Sequence, residues 1–155
     1  MTTWKVPPRA KIFEALSAVA DGRVRLVGER EAEVVSSERS KTYVVEWSED
    51  HREFSSNDNA SYWRGYVGYP IVAVLLTLHI LPYEPPFGAL LAGIPWKNLN
   101  DRHHREYDGA VREAIAGVDV EMQRRLQAYV DGLMAILVGL HLERLSSLRK
   151  PPIVR

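Results

Sequence analysis

The sequence predicts an α+β protein: an N-terminal helix, a small antiparallel sheet of three or four strands, a central buried helix and a helical C-terminal half. Two observations carry this prediction. Residues 23–56 contain short runs rich in β-branched and aromatic residues, separated by polar turns, as expected of strands. Residues 97–148 instead repeat their apolar side chains at helical spacing. Strands and helices therefore occupy separate parts of the chain.

The first predicted element is a helix over about residues 8–20. Pro7 and Pro8 precede it, and proline suits the first turn of a helix because its nitrogen has no hydrogen to donate. Asp21 and Gly22 form a stop signal. Its apolar residues recur at helical spacing: Ile12, Phe13, Leu16, Val19 and Ala20.

Strands are predicted at residues 23–27, 31–37 and 41–48, and residues 52–56 supply a candidate fourth strand. Residues 28–30 make a hairpin connection that contains a glycine, which adopts a positive φ without strain. The third strand alternates well, so its large side chains share one face: Tyr43, Val45 and Trp47.

Helices account for the rest of the chain. Residues 70–80 are apolar nearly all round, which predicts a helix buried in the middle of the domain. A proline-dense break precedes a short helix through 88–92, and the polar segment 97–116 is also predicted to be helical. Asp119 caps a long last helix that reaches about residue 148.

The proline-dense break divides the chain into an α+β domain, 1–82, and a helical extension packed on it, 83–155. The last helix carries two apolar stripes, so it needs two partners: the α+β domain and a second subunit. A homodimer is therefore expected. The first stripe comprises Met122, Leu126, Tyr129, Leu133, Ile136 and Leu140; the second comprises Val130, Met134, Leu137 and Val138.

Composition excludes several classes of function. Twenty acidic and twenty basic side chains argue against a whole-protein electrostatic attraction to nucleic acid or to an anionic membrane. The lack of cysteine excludes disulfides, thiolate nucleophiles and cysteine-built zinc sites. The first eleven residues lack the apolar core of a signal peptide, and no apolar run is long enough to cross a bilayer. We expect a cytoplasmic protein without a cofactor or a membrane partner.

Four stretches in the middle of the chain follow a recognisable order: a Ser-Ser pair in 35–37, Tyr-x-Val in 41–45, the loop 54–58, and a helix of Ile-x-Ala-Val-Leu-Leu type in 68–76. This order resembles the SWIM-type zinc finger over about residues 34–78. The resemblance implies a small sheet packed on a central helix, and a DNA- or protein-binding role. The chain is also similar to short uncharacterised archaeal proteins that share a YRGYVGYP-like loop.

The zinc ligands of that family are missing. The four ligand positions fall on Phe54, Ser56, Gly68 and Pro70. None of these residues supplies a thiolate or an imidazole nitrogen, so a zinc site of the family type is excluded.

Aromatic side chains are expected to close the loop in place of zinc. A structural zinc contributes on the order of 10 kcal/mol to folding in small modules. Four buried rings, each hiding roughly 150–250 Å², would contribute comparably, and the serines and asparagines of 55–59 would satisfy the turn backbone. The four rings belong to Tyr62, Trp63, Tyr66 and Tyr69.

The same loop supplies the candidate binding residues Trp63, Arg64, Tyr66 and Tyr69. Aromatic rings beside arginine anchor protein partners and stack on exposed bases. No cluster of arginine and lysine accompanies the loop, and the arginines of the first strand face glutamates of the second. We therefore expect a non-enzymatic protein-binding module that self-associates, with a nucleic-acid-associated factor as the alternative.

An enzyme is the third hypothesis, because one polar run has the spacing of a metal site. Asp101, His104 and Asp108 share a helical face at i, i+3 and i+7, where they could hold a divalent metal. Arginines are interleaved, however, and a solvated helix of paired charges explains the run equally well.

Overall fold

The computed structural model of the chain describes residues 2–146 and 149–153, and its helices and mostly antiparallel sheet confirm the α+β class. In chain order the elements are α1 (Ala10–Ala20), β1 (Val24–Gly28), β2 (Glu31–Val35), β3 (Thr42–Trp47), β4 (Glu53–Ser56), a π-helical turn (Ala60–Arg64), α2 (Tyr69–Thr77), α3 (Pro85–Leu90), α4 (Trp96–Arg102), α5 (Tyr107–Ala114), α6 (Val120–Leu140) and β5 (Glu143–Arg144).

The sheet has five strands in the order β1-β2-β3-β4-β5. The first four form the predicted antiparallel meander, with Val34 opposite Tyr43 and Trp47 opposite Phe54. The fifth strand pairs parallel to β4 and has no counterpart in the sequence prediction. Two residues are too few to show a period, so such a strand leaves no signal in the sequence.

The last helix is shorter than predicted. It ends at Leu140 instead of continuing toward Leu148, which itself lies outside the described residues. His141 adopts a left-handed conformation, with φ of 49°, and turns the chain back toward the sheet. Trp4 N then donates to Leu142 O at 2.9 Å, and Leu145 N donates to Phe54 O at 2.9 Å.

A single hydrophobic core joins the two predicted parts of the chain. Helix α2 is buried from Pro70 to Leu76 and packs against both α1 and the sheet, as its apolar sequence predicts. The C-terminal half attaches to α1 through Ser17, whose Oγ donates to Leu91 O at 2.6 Å and accepts from Trp96 Nε1 at 2.8 Å.

Helix α6 buries one face, whereas the sequence predicted two apolar stripes. The buried residues come from both predicted stripes: Leu126, Val130, Leu133 and Leu137. Ile136 and Val138 remain exposed, at 40% and 47%. Among the residues that the structure describes, no helix is both long and apolar enough to span a membrane.

The predicted helix over 97–116 is two helices, α4 and α5, separated by a turn. His104 and Arg105 have positive φ angles of 52° and 64°, which interrupt the helical backbone. Helix α5 restarts because the Glu106 carboxylate accepts a hydrogen bond from Gly109 N at 2.7 Å. The turn directs Arg105 and Tyr107 toward the cavity described next.

A tyrosine-lined cavity as the candidate binding site

A cavity of about 520 Å³ lies between the sheet, α1, the π-helical turn and the α4–α5 turn. The strands and helices bring residues from six separate segments to its wall. All four binding candidates predicted from the loop line it: Trp63, Arg64, Tyr66 and Tyr69. We call this space the tyrosine cavity.

Three tyrosine rings form the inner wall of the tyrosine cavity. Tyr43 points inward from β3, and its ring meets that of Tyr69 edge-on, with centroids 6.3 Å apart. Tyr66 is 9% exposed. Burial raises the pKa of all three phenols, that of Tyr43 to about 12, so the hydroxyls stay neutral at physiological pH. None of these hydroxyls hydrogen-bonds to another residue that the structure describes, so each is available to a ligand.

A buried ion pair lies beside the tyrosines. Lys11 Nζ is 3.1 Å from Glu14 Oε2, and both side chains are at least nine-tenths buried. The ammonium also lies 4.3 Å from the centroid of the Tyr107 ring, within the range of a cation–π contact. Burial, the largest single effect, lowers the pKa of Lys11. The Glu14 carboxylate together with the Tyr66 and Tyr107 hydroxyls nevertheless raises this pKa overall, so the lysine stays charged. The pair contributes no net charge to the cavity.

The mouth of the tyrosine cavity carries excess positive charge. Five cationic side chains and three carboxylates line the cavity, a difference of two positive charges on a chain whose formal net charge is zero. Lys97 is neutralised by Asp101 at 2.6 Å. The other three cations at the mouth have no ion-pair partner within residues 2–146 and 149–153: Lys41, Arg64 and Arg105.

The third carboxylate of the cavity, that of Glu38, is held by local hydrogen bonds. Ser40 Oγ donates to Glu38 Oε1 at 2.7 Å. Burial alone would raise the pKa of Glu38, but the hydrogen bond from Ser40 and those from nearby groups lower it overall, so Glu38 is ionised. Sequence reasoning missed the cationic mouth because its residues come from the β2–β3 turn, the π-helical turn and the α4–α5 turn. No short window of the sequence contains more than one of them.

Trp63 lies at the mouth of the tyrosine cavity and projects into solvent, which corrects the prediction that four buried rings close the loop. Its side chain is 72% exposed, and of the four loop rings Tyr66 and Tyr69 belong to the inner wall. Tyr62 is half-buried and meets the Trp63 ring edge-on, with centroids 4.6 Å apart. Exposing a large aromatic ring forgoes favourable burial, and such rings commonly mark binding surfaces.

Hydrogen bonds to a buried carboxylate close the loop instead. Asp58 Oδ1 accepts from Ser56 Oγ, and Asp58 Oδ2 accepts from Ser61 N at 3.0 Å. Ser61 Oγ in turn accepts from Gly68 N at 3.1 Å. We call these four residues the Asp58 network. It links Ser56 and Gly68, which are two of the four positions aligned with zinc ligands.

The neighbouring Asn57 confirms the prediction that polar side chains of 55–59 satisfy backbone groups. Its Oδ1 accepts from Val44 N at 2.8 Å. Asp58 does the same for Ser61 N. These side chains are buried, at 8% and 5% exposure. An unpaired backbone N–H at this depth would be costly, which explains why the loop is polar although it lies inside the protein.

The helical face predicted for a metal site does not form. Asp101 belongs to α4, His104 lies in the following turn, and Asp108 belongs to α5. The Asp101 carboxylate is paired with Lys97. Across the part of the chain that the structure describes, no three His, Asp or Glu side chains are grouped closely enough to hold a metal ion.

Comparison with known proteins gives one match. A family model described as "Uncharacterised conserved protein UCP014422" matches residues 4–143, which include β1 to β4 and every segment of the tyrosine cavity. No curated protein and no solved structure matches the chain. The chain therefore belongs to the family of the uncharacterised conserved protein UCP014422.

Proposed function

We propose that the protein is a non-enzymatic binding module that holds a single strand of nucleic acid at the tyrosine cavity. The observation that carries this proposal is the position of the exposed Trp63 beside three cations that have no ion-pair partner among the described residues. Single-strand binding sites combine a cationic surface, which attracts the phosphates, with aromatic rings on which bases stack. Lys41, Arg64 and Arg105 supply the charge, and Trp63 supplies the ring.

The positions of these cations favour nucleic acid over a protein partner. The sequence favours a protein partner because no lysine or arginine cluster accompanies the loop. In the folded chain Lys41 and Arg105 lie around the same cavity as Arg64. The charge excess is local, since the whole chain is neutral. We therefore expect a short contact with a few phosphates and no general affinity for polyanions.

Self-association through α6, the other binding function that the sequence favours, has narrower support. Ile136 and Val138 are exposed. Residues two apart in a helix project from different faces, so these two side chains do not form one docking surface. The formed cavity is the stronger basis for a function, and the nucleic-acid proposal accordingly comes first.

The first test removes the stacking ring. We expect Trp63→Ala to weaken binding of a labelled single-stranded oligonucleotide roughly 5- to 150-fold, because a base stacked on an aromatic ring is worth about 1–3 kcal/mol. Fluorescence anisotropy with single-stranded DNA and RNA of the same mixed sequence measures the effect. Val120→Ala is the control, since Val120 is 80% exposed and lies at the start of α6. Equal affinity of Trp63→Ala and the unmodified protein would contradict the proposal.

The second test uses the salt dependence of the same binding. For single strands the logarithm of the binding constant falls with the logarithm of salt concentration with a slope of about −0.7 per neutralised phosphate. We expect Arg64→Gln to make this slope shallower by about 0.7. Arg52→Gln is the matched control, because Arg52 is exposed and does not line the cavity. If an acidic peptide such as polyglutamate binds as tightly as the strand, the site recognises a protein partner instead.

A further inference from the structure

We infer that the tyrosine cavity takes one nucleobase, turned out of the strand, while its phosphate stays at the mouth. This inference rests on the proposed function and names the part of the strand that the cavity accepts. A cavity of about 520 Å³ exceeds what a shallow backbone groove needs and falls among the volumes of small-molecule pockets, about 300–1,000 Å³. The occupant is therefore a group that enters the protein.

The distribution of charge determines which end of a nucleotide enters. Inside the cavity the charged groups are Lys11 and Glu14, which pair at 3.1 Å and sum to zero. A phosphate placed there would meet the Glu14 carboxylate as well as the Lys11 ammonium, so the pair offers it no net attraction. The cations that pair with no carboxylate in the described part of the chain lie at the mouth, where Arg64 and Arg105 are exposed. A phosphate is therefore stabilised at the mouth, and the uncharged base is the end that enters.

The chemistry of the inner wall suits a base better than an apolar side chain. The rings of Tyr43, Tyr66 and Tyr69 offer flat apolar surface, and their hydroxyls have no hydrogen-bond partner within the described ranges. Each neutral hydroxyl both donates and accepts. An aliphatic or phenyl group would leave these hydroxyls unpaired, whereas the edge of a nucleobase carries donors and acceptors together.

Trp63 and the cavity then have separate roles on one strand. The inserted base contacts the tyrosines, and the neighbouring base stacks on the exposed ring of Trp63, which meets the Tyr62 ring edge-on. Base insertion costs stacking within the strand, which is small when the strand is already single. This arrangement predicts that a mononucleotide alone binds in the cavity and competes with the strand.

The test titrates the protein with each of the four nucleoside 5′-monophosphates and, separately, with ribose 5-phosphate, which has the phosphate and no base. We expect at least one mononucleotide to displace a labelled single-stranded oligonucleotide and ribose 5-phosphate to leave it bound. Tyr43→Phe removes one hydroxyl and no ring, so we expect it to weaken mononucleotide binding about two- to tenfold. Its thermal unfolding should match that of the unmodified protein, because the hydroxyl makes no hydrogen bond to any residue that the structure describes.

Two results overturn this inference and leave the proposed function intact. One is strand binding that depends on Trp63 but that no mononucleotide displaces, because the cavity then takes no base. The other is equal displacement by ribose 5-phosphate and by the mononucleotides, because the phosphate then enters. If the unmodified protein binds no single-stranded oligonucleotide even at low salt, the proposed function itself is overturned.

Discussion

Replacing Asp58 by alanine should lower the free energy of unfolding by about 3 kcal/mol, because the change leaves buried donors without an acceptor. The Asp58 carboxylate accepts hydrogen bonds from Ser56 Oγ and from Ser61 N, and it is 5% exposed. Without it the loop loses the link between β4 and the start of α2. Urea unfolding followed by circular dichroism measures the difference.

Two variants separate the role of the buried carboxylate from that of any turn aspartate. Asp50 accepts the same kinds of hydrogen bond in an exposed turn. Ser48 Oγ donates to Asp50 Oδ1 at 2.6 Å, and Arg52 N donates to the same oxygen at 3.1 Å. Asp50→Ala should therefore destabilise the protein far less than Asp58→Ala. Asp58→Asn keeps an acceptor oxygen, so its effect on the free energy of unfolding should fall between those of Asp50→Ala and Asp58→Ala. Equal destabilisation by Asp50→Ala and Asp58→Ala would show that the Asp58 network does not stabilise the loop.

Gly68→Ala should destabilise the protein by about 2–3 kcal/mol through overpacking. A Cβ at this position would lie 2.2 Å from Asp58 Oδ2 and 2.7 Å from Ser61 Oγ, and the hydrogen bonds of the Asp58 network hold both atoms. Its φ of −75° is open to any residue, so the cost comes from the close approach and not from backbone strain. Equilibrium unfolding again measures it.

The matched control is Gly132→Ala in the middle of α6. Nothing lies within 4 Å of a Cβ there, and alanine favours a helix interior over glycine by about 0.5–1 kcal/mol, so this variant should be more stable. Combining Gly68→Ala with Asp58→Ala should cost less than the two separate effects together, because the second change removes Asp58 Oδ2, the nearer of the two atoms that the new methyl group meets. If the two destabilisations are strictly additive, the contact between the new methyl group and Asp58 Oδ2 is not the cause of the Gly68→Ala effect.

Sequence periodicity was sufficient for the elements whose pattern is local. The helix over 8–20, the meander of four strands and the buried helix at 70–80 appear close to where they were predicted. Each of these shows its period over many residues, and the period follows from which face is buried. Asp119 also caps α6 as predicted, with its carboxylate accepting from Glu121 N at 3.1 Å.

The departures occur where contacts distant in sequence override the local pattern. The apolar pattern continues past Leu140, yet His141 ends the helix because Leu142 and Leu145 engage the N-terminal segment and β4. The polar run 97–116 breaks at His104 and Arg105. That break removes the shared helical face of Asp101, His104 and Asp108.

The sequence by itself determined the class of the fold, the order of the elements from α1 to α2 and the loop that lines the site. Only the tertiary structure decided that Trp63 projects into solvent, that Asp58 fastens the loop, and that cations from separate segments meet at one mouth. The physical reason is how far apart in the sequence the interacting residues lie. Backbone periodicity is a property of neighbouring residues, whereas a cavity and its charge depend on which distant surfaces pack together.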